Sequence, residues 1–340
     1  MAVSEGTFAV GTGGHYASWA AAAADVAASL TGDLSFKQVS PLTETTTVLF
    51  APNLNGFTLV LSNCESPFGA PEAGFETFLG ALAARLEVMP SGVGTVEVRR
   101  LFLRATVSLG GAQMLTVAPT GASTARVHDC LLDAQAFLAD GLEVGGGGAA
   151  AVTHEVWNVQ VWDTDGIGFT ISTPALLHRI ENCTAYLCLG GGFAYADVAA
   201  VTLQNCAAFD SAPGADFTPA VPALATTNNN ASSDASAPGA APLIGLVAAV
   251  QYVSLVDTSI HFLRVAAGSA LIASGAVVLV AGHTVGIRGN ALPPLPTRGC
   301  DEFSAPLYVT LGNCDLPIAV ITGATDAFGV PANFVISGVV

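Results

Sequence analysis

Asn158, Asn182, Asn205 and Asn229 recur at steps of 24, 23 and 24 residues. The first three open near-copies of one phrase: Asn158-Val-Gln-Val-Trp162, Asn182-Cys-Thr-Ala-Tyr186 and Asn205-Cys-Ala-Ala-Phe209. A second mark keeps the same beat, with Gly-Phe at 168–169 and 192–193 and Asp-Phe at 216–217. A unit this short cannot bury its own apolar face, so self-similarity at such a period implies stacked units sharing one continuous core. A coil of this length suits an all-β parallel β-helix. The register extends backwards to Asp129 and Arg100, which stand where later coils carry Asn, at the wider step of 29 residues.

Composition agrees with a β-rich solenoid. The chain is 51% hydrophobic and only 11% charged, against about 25% charged in ordinary soluble domains. The solvated surface must therefore be built from Thr, Ser, Asn, Gly and Ala, and the 37 glycines and 18 prolines fit many short strands joined by tight turns. With a formal charge of −16 and ten basic residues, tracking of nucleic-acid phosphates or of an anionic membrane surface is not expected, because both rely on Lys/Arg clusters. The seven cysteines (Cys64, Cys130, Cys183, Cys188, Cys206, Cys300 and Cys314) are odd in number and form no CxxC pair. They read as neither a disulfide framework nor zinc ligands, and fit assembly in a reducing cytoplasm. Cys183 and Cys206 directly follow the repeating Asn, and strand alternation points them inward as small hydrophobes. No secretory leader is expected at the start of the chain. The apolar stretches Leu243–Val250 and Ala270–Ala281 are too short for a membrane span and are expected as core strands.

Three regions follow. Residues 1–35 read as a strand, a glycine turn and an Ala-rich helix from about His15 to Leu30, with Tyr16, Trp19, Ala23 and Val26 on one face, capping the solenoid. Residues 36–292 read as the β-helix, with a small helix possible at 75–89 and long loops in the last coil. Residues 293–340 read as a β-rich docking or oligomerisation segment, with apolar runs at 306–311, 316–322 and 333–340.

The stretches Asn229–Gly239, Val247–Leu255 and Phe262–Ile272, together with the opening Tyr16–Trp19, Leu30–Phe36 and Thr43–Thr45, resemble right-handed parallel β-helix proteins of tailed bacteriophages and prophages. These have a pectate-lyase-like β-helix. The resemblance touches both ends and the middle, but not the tail after Pro293. It implies a virion protein made in the bacterial host cytoplasm, with itself (as a homotrimer) and other virion proteins as partners, such as major capsid or tail proteins. It would decorate the capsid or form a head or tail spike or fibre. The family fold also hosts polysaccharide depolymerases and host-glycan adhesins, so fold alone does not decide function.

The residues themselves offer one enzymatic hint. Asp163 and Asp165 flank a turn, Trp162-Asp-Thr-Asp-Gly166, and paired carboxylates on a β-helix can act as acid and base in glycan cleavage. Asp129, Asp133, Glu155 and Asp210 are candidates to join them, with His178 and Arg179 the nearby cations. The same Asp-Thr-Asp-Gly is also ordinary turn chemistry, and calcium would need more oxygen ligands than this spacing supplies. No cofactor and no metal site are expected. Trp162, Tyr186 and Phe209 form a column, read as a stabilising internal stack before a sugar-binding strip. The expectation is a non-enzymatic scaffold whose ladder of Asn158, Asn182, Asn205 and Asn229 is structural.

Overall fold

The computed structural model describes residues 2–63, 76–145, 152–172, 177–195, 201–211, 213–218, 227–257, 262–281, 283–284, 287 and 292–299. From residue 300 on, the tail expected to oligomerise lies outside these residues, as does Cys64. The architecture is a parallel β-helix of three sheets holding eight, eight and seven strands. One coil shows the plan. Thr153–Trp157 lies in sheet 1, Gln160–Thr164 in sheet 2 and Ile167–Ile171 in sheet 3; the next coil repeats it with Leu177–Glu181, Thr184–Cys188 and Gly191–Tyr195. Each strand pairs in parallel with its equivalent one coil away.

Strands form here because alternate residues are apolar and equivalent positions stack. Phe36, Leu61, Val98, Val127, Val156, Ile180 and Leu203 make one unbroken inward column of sheet 1. All are buried in the main core. From residue 100 on, the bend from sheet 1 into sheet 2 is made by a single left-handed residue per coil: Arg100, Asp129, Asn158, Asn182, Asn205 and Asn229, with φ between 47° and 56°. Asn tolerates this region better than other side-chain-bearing residues, which explains why the beat falls on Asn. The assignment of Arg100 and Asp129 to the same column is borne out. Asp163, Leu187 and Asp210 make the second left-handed bend, from sheet 2 into sheet 3.

The residue after each Asn points inward, as expected. Cys130, Cys183 and Cys206 are fully buried, and each thiol faces a backbone carbonyl of the previous coil. Asn230 ends the column: its amide donates to Leu203 O and Pro238 O, and its Oδ1 accepts from Cys206 N.

The Gly-Phe beat has its own cause. Phe169, Phe193 and Phe217 stack face to face inside the core, with centroids 4.5 and 4.9 Å apart and ring planes within 6°. A methyl on Gly168 would lie 2.8 Å from Gly192 O, and one on Gly192 would lie 2.5 Å from Asp216 O. The coils approach too closely there for any side chain.

Several expectations need correction. The helix of the first region spans only Trp19–Asp25, capped by Ser18, with Trp19 buried beside Phe50 and its indole donating to Thr77. The strand Gly6–Val10 is already a rung of sheet 1. The small helix at 75–89 is instead two strands, Glu76–Leu79 and Arg85–Val88, because both pair with neighbouring coils and that pairing overrides local preference. Parallel pairing onto the coils ends at the bridge between Ala231 and Leu243, and beyond it the described residues show only the isolated bridges Tyr252–Val265 and Ser254–Phe262. Leu243–Val250 and Ala270–Ala281 are therefore not core strands. From Ile244 the described chain has one helical turn, Ala248–Gln251, and otherwise folds back as a strap along the coils.

Candidate functional site

The strap meets the helix along the asparagine corner. Asn182 and Asn205 are buried, and Asn205 Nδ2 donates to Asn182 Oδ1 at 3.2 Å, as a rung-to-rung ladder requires. Asn158 Nδ2 likewise donates to Asp129 Oδ1 at 2.9 Å. The same amides also hold the strap. Asn182 donates to Thr297 O (3.1 Å), Asn205 to Ala276 O (2.8 Å) and Asn229 to Ser274 O (2.7 Å), while Ala276 N donates back to Asn205 Oδ1. The ladder is thus both a coil corner and a docking strip.

The residues before Asn182 and Asn205 join in. The buried Glu181 carboxylate accepts from Leu279 N (2.6 Å), from Val280 N (3.2 Å) and faces His283 Nδ1 (3.3 Å). Gln204 Nε2 donates to Val277 O, and His283 Nε2 meets Asn158 Oδ1 at 3.1 Å. At the end of the coils Arg298 lies buried among carbonyls. It donates to Ser274 O, Asn230 O and Ala241 O, and burial pulls its pKa down to about 10. Sequence reasoning missed Glu181, Gln204, His283 and Arg298. The Glu/Gln-Asn pairs at 181–182 and 204–205 were the one available signal.

Trp162, Tyr186 and Phe209 are in register, as the phrase alignment requires. They do not form the internal stack, which belongs to the Phe169 column. They project outward from sheet 2 and are buried in a second apolar cluster by Tyr252, Phe262, Leu263, Val265 and Leu271 of the strap. Phe262 lies 5.2 Å from Trp162 and 6.2 Å from Tyr186, and Tyr252 packs edge-on at 5.5 Å to Phe209. The aromatic column is a buried seam rather than an open strip.

The carboxylates singled out from the sequence are spread over several faces. Asp163 is half-buried at the second bend and Asp165 is exposed beyond it. Asp210 occupies Asp163's column two coils on. Asp129 faces His128 Nδ1 at the first bend, and Glu155 lies on the outer face of sheet 1. The two expected cations are not beside Asp163. Arg179 pairs with Glu155 on sheet 1 at 3.3 Å, and His178 is buried in the core, stacked on His154 at 4.8 Å.

Asp133 does gather partners on the outer face of sheet 2. It accepts from Arg104 Nε (2.8 Å), Gln135 N (3.1 Å) and Gln135 Nε2 (2.6 Å). Burial raises its pKa to about 6 against the lowering effect of Arg104. Gln135 also donates to Asp257 of the strap at 3.3 Å, and Asp163 is raised by burial and then by Asp257. Asp133, Asp163 and Asp257 thus cluster at one strap edge. Among the described residues no group of three His, Cys, Asp or Glu is arranged to hold a metal ion.

The outer face of sheet 1 carries an alternating charge ladder, Glu97, Arg126, Glu155 and Arg179, in direct register. Arg126 and Arg179 both bind Glu155, at 3.0 and 3.3 Å. His128 bridges Glu97 and Asp129. Burial lowers its pKa, but those two carboxylates outweigh burial and the net shift is upward. Most charged side chains on this face are paired with one another.

Fold and side-chain ladders together define a strapped parallel β-helix. Comparison with protein-family models, with curated proteins and with solved structures returned no match.

Proposed function

We propose that this chain is a non-enzymatic structural protein of a bacteriophage virion, decorating the capsid or forming a head or tail spike or fibre. In this reading it works as a homotrimer alongside other virion proteins such as capsid or tail subunits. The observation that carries the non-enzymatic part is the commitment of the repeat residues to one another. The Asn and Cys columns bond rung to rung, the Phe column stacks, and the aromatic seam is sealed by the chain's own strap. Such ladders give a stiff shaft and leave little reactive surface on the coils. The virion assignment rests on the resemblance of both ends and the middle of the chain to phage β-helix proteins.

The decisive experiment is antibody labelling and imaging of purified particles. Labelling at regular head, vertex or tail positions is expected. Absence of the protein from purified particles overturns the assignment.

One observation favours a second reading, cleavage or binding of a host glycan. At the strap edge the half-buried Asp163 is raised by burial and then by the neighbouring Asp257, and a raised acid beside another carboxylate is what glycoside chemistry uses. Oligosaccharide release from host capsule or lipopolysaccharide, abolished by Asp163→Asn, would replace the structural reading. Glycan-array binding without turnover would point to an adhesin.

A further inference from the structure

Among the described residues, the first part of the strap leaves an apolar surface uncovered. Ile244, Val247, Val250, Val253 and Val256 follow one another at a spacing of three, and each is between 52 and 63% exposed. This ridge is rigidly placed. Leu246 N donates to Ser232 O, Val253 N to Arg264 O and Ala266 N to Gln251 O, while Ser269 Oγ holds Gln251 Oε1 at 2.8 Å. Five bulky apolar side chains on a pinned backbone make a patch that ordinarily marks a contact surface.

The place where the described chain ends selects an occupant. Arg298 donates to Ala241 O, three residues before the ridge begins, and Gly299 N donates to Asn205 O. A side-chain carbon placed on Gly299 would lie 3.6 Å from Tyr252 Oη, and Tyr252 sits between Val250 and Val253. The described chain therefore ends against the coils, at the buried side of Tyr252, whose neighbours Val250 and Val253 stand on the ridge. Forty-one residues follow, with apolar runs at 306–311, 316–322 and 333–340 and no Lys or Arg. At roughly 3.3 Å per extended residue, the first run is within about 25 Å of Gly299. That span is enough to carry the first run from Tyr252 to the neighbouring Val250 and Val253.

We propose that the valine ridge is the docking surface for this chain's own C-terminal segment, residues 306–340. The ridge offers an apolar face on the outside of the strap, and the segment offers apolar runs that need one. The strap then serves two surfaces: its inner side seals the aromatic seam, and its outer side holds the tail.

The test uses the full-length protein and hydrogen exchange read by mass spectrometry. Peptides from 306–340 should exchange at least tenfold more slowly than a free peptide. That protection should vanish in a Val250→Asp, Val253→Asp variant whose coil peptides stay protected. In a Cys64→Ser, Cys300→Ser background, Val253→Cys should be joined to Cys314 by a short bis-maleimide within one chain. Free-peptide exchange of the wild-type tail, or protection that survives the two Asp substitutions, overturns the proposal. A cross-link formed only between chains overturns it too, and makes a second copy the occupant.

Discussion

The core of the helix contains a buried base, and its removal should change how the protein responds to acid. His154 is 1% exposed, lies in the inward column of sheet 1 and stacks on His178 with ring planes 9° apart. Burial, and then the neighbouring His178, lowers its pKa from 6.5 to about 3. Below pH 6.5 the unfolded chain takes up a proton at this residue, whereas the folded chain refuses it until about pH 3. Stability is therefore whole above pH 6.5 and is lost as pH falls through the window from 6.5 towards 3. Each pH unit in that window costs about 1.4 kcal/mol, which gives about 2 kcal/mol at pH 5 and about 5 kcal/mol near pH 3. The assay is urea unfolding of the wild type and of His154→Phe at pH 7.5 and pH 5. Carboxylates common to both proteins cancel in the difference. The wild type should lose about 2 kcal/mol more than the variant between the two pH values. Equal losses would refute the reasoning, as would an NMR titration showing His154 charged at pH 5 in the folded protein.

Two further substitutions probe the ladders. Asn205→Ala removes the bonds to Asn182 and Ala276 and leaves Ala at a φ of 56°; a loss of about 2–3 kcal/mol is expected from the combined backbone and buried hydrogen-bond terms, measured by chemical unfolding. Gly192→Ala would place a methyl 2.5 Å from Asp216 O and 2.8 Å from Ala208 Cβ. The overpacking should cost about 1–3 kcal/mol and lower the melting temperature, read by thermal unfolding.

The sequence by itself determined the coil. The Asn beat located the left-handed bend, because a residue that must adopt positive φ in every coil leaves a compositional trace at fixed spacing. The residue after it was legible as inward for the same reason, since strand alternation restarts at each bend. Arg100 and Asp129 were found despite their different chemistry because the backbone, not the side chain, sets that column. Aromatic orientation was less legible. Trp162 lies four residues beyond the bend and so faces outward, but an outward aromatic can still be buried when another segment covers it. That covering was decided only by tertiary structure. The strap has no repeat, and its contacts with the coils join residues as much as 125 positions apart. Ala270–Ala281 has the same apolar composition whether it forms a strand inside a core or a cover over one. Glu181 and His283 gain their roles only when the chain returns to the corner. Periodic pairing between adjacent coils is written locally and repeatedly, whereas a single non-repeating return of the chain is specified once, by surfaces that exist only after the coils have stacked.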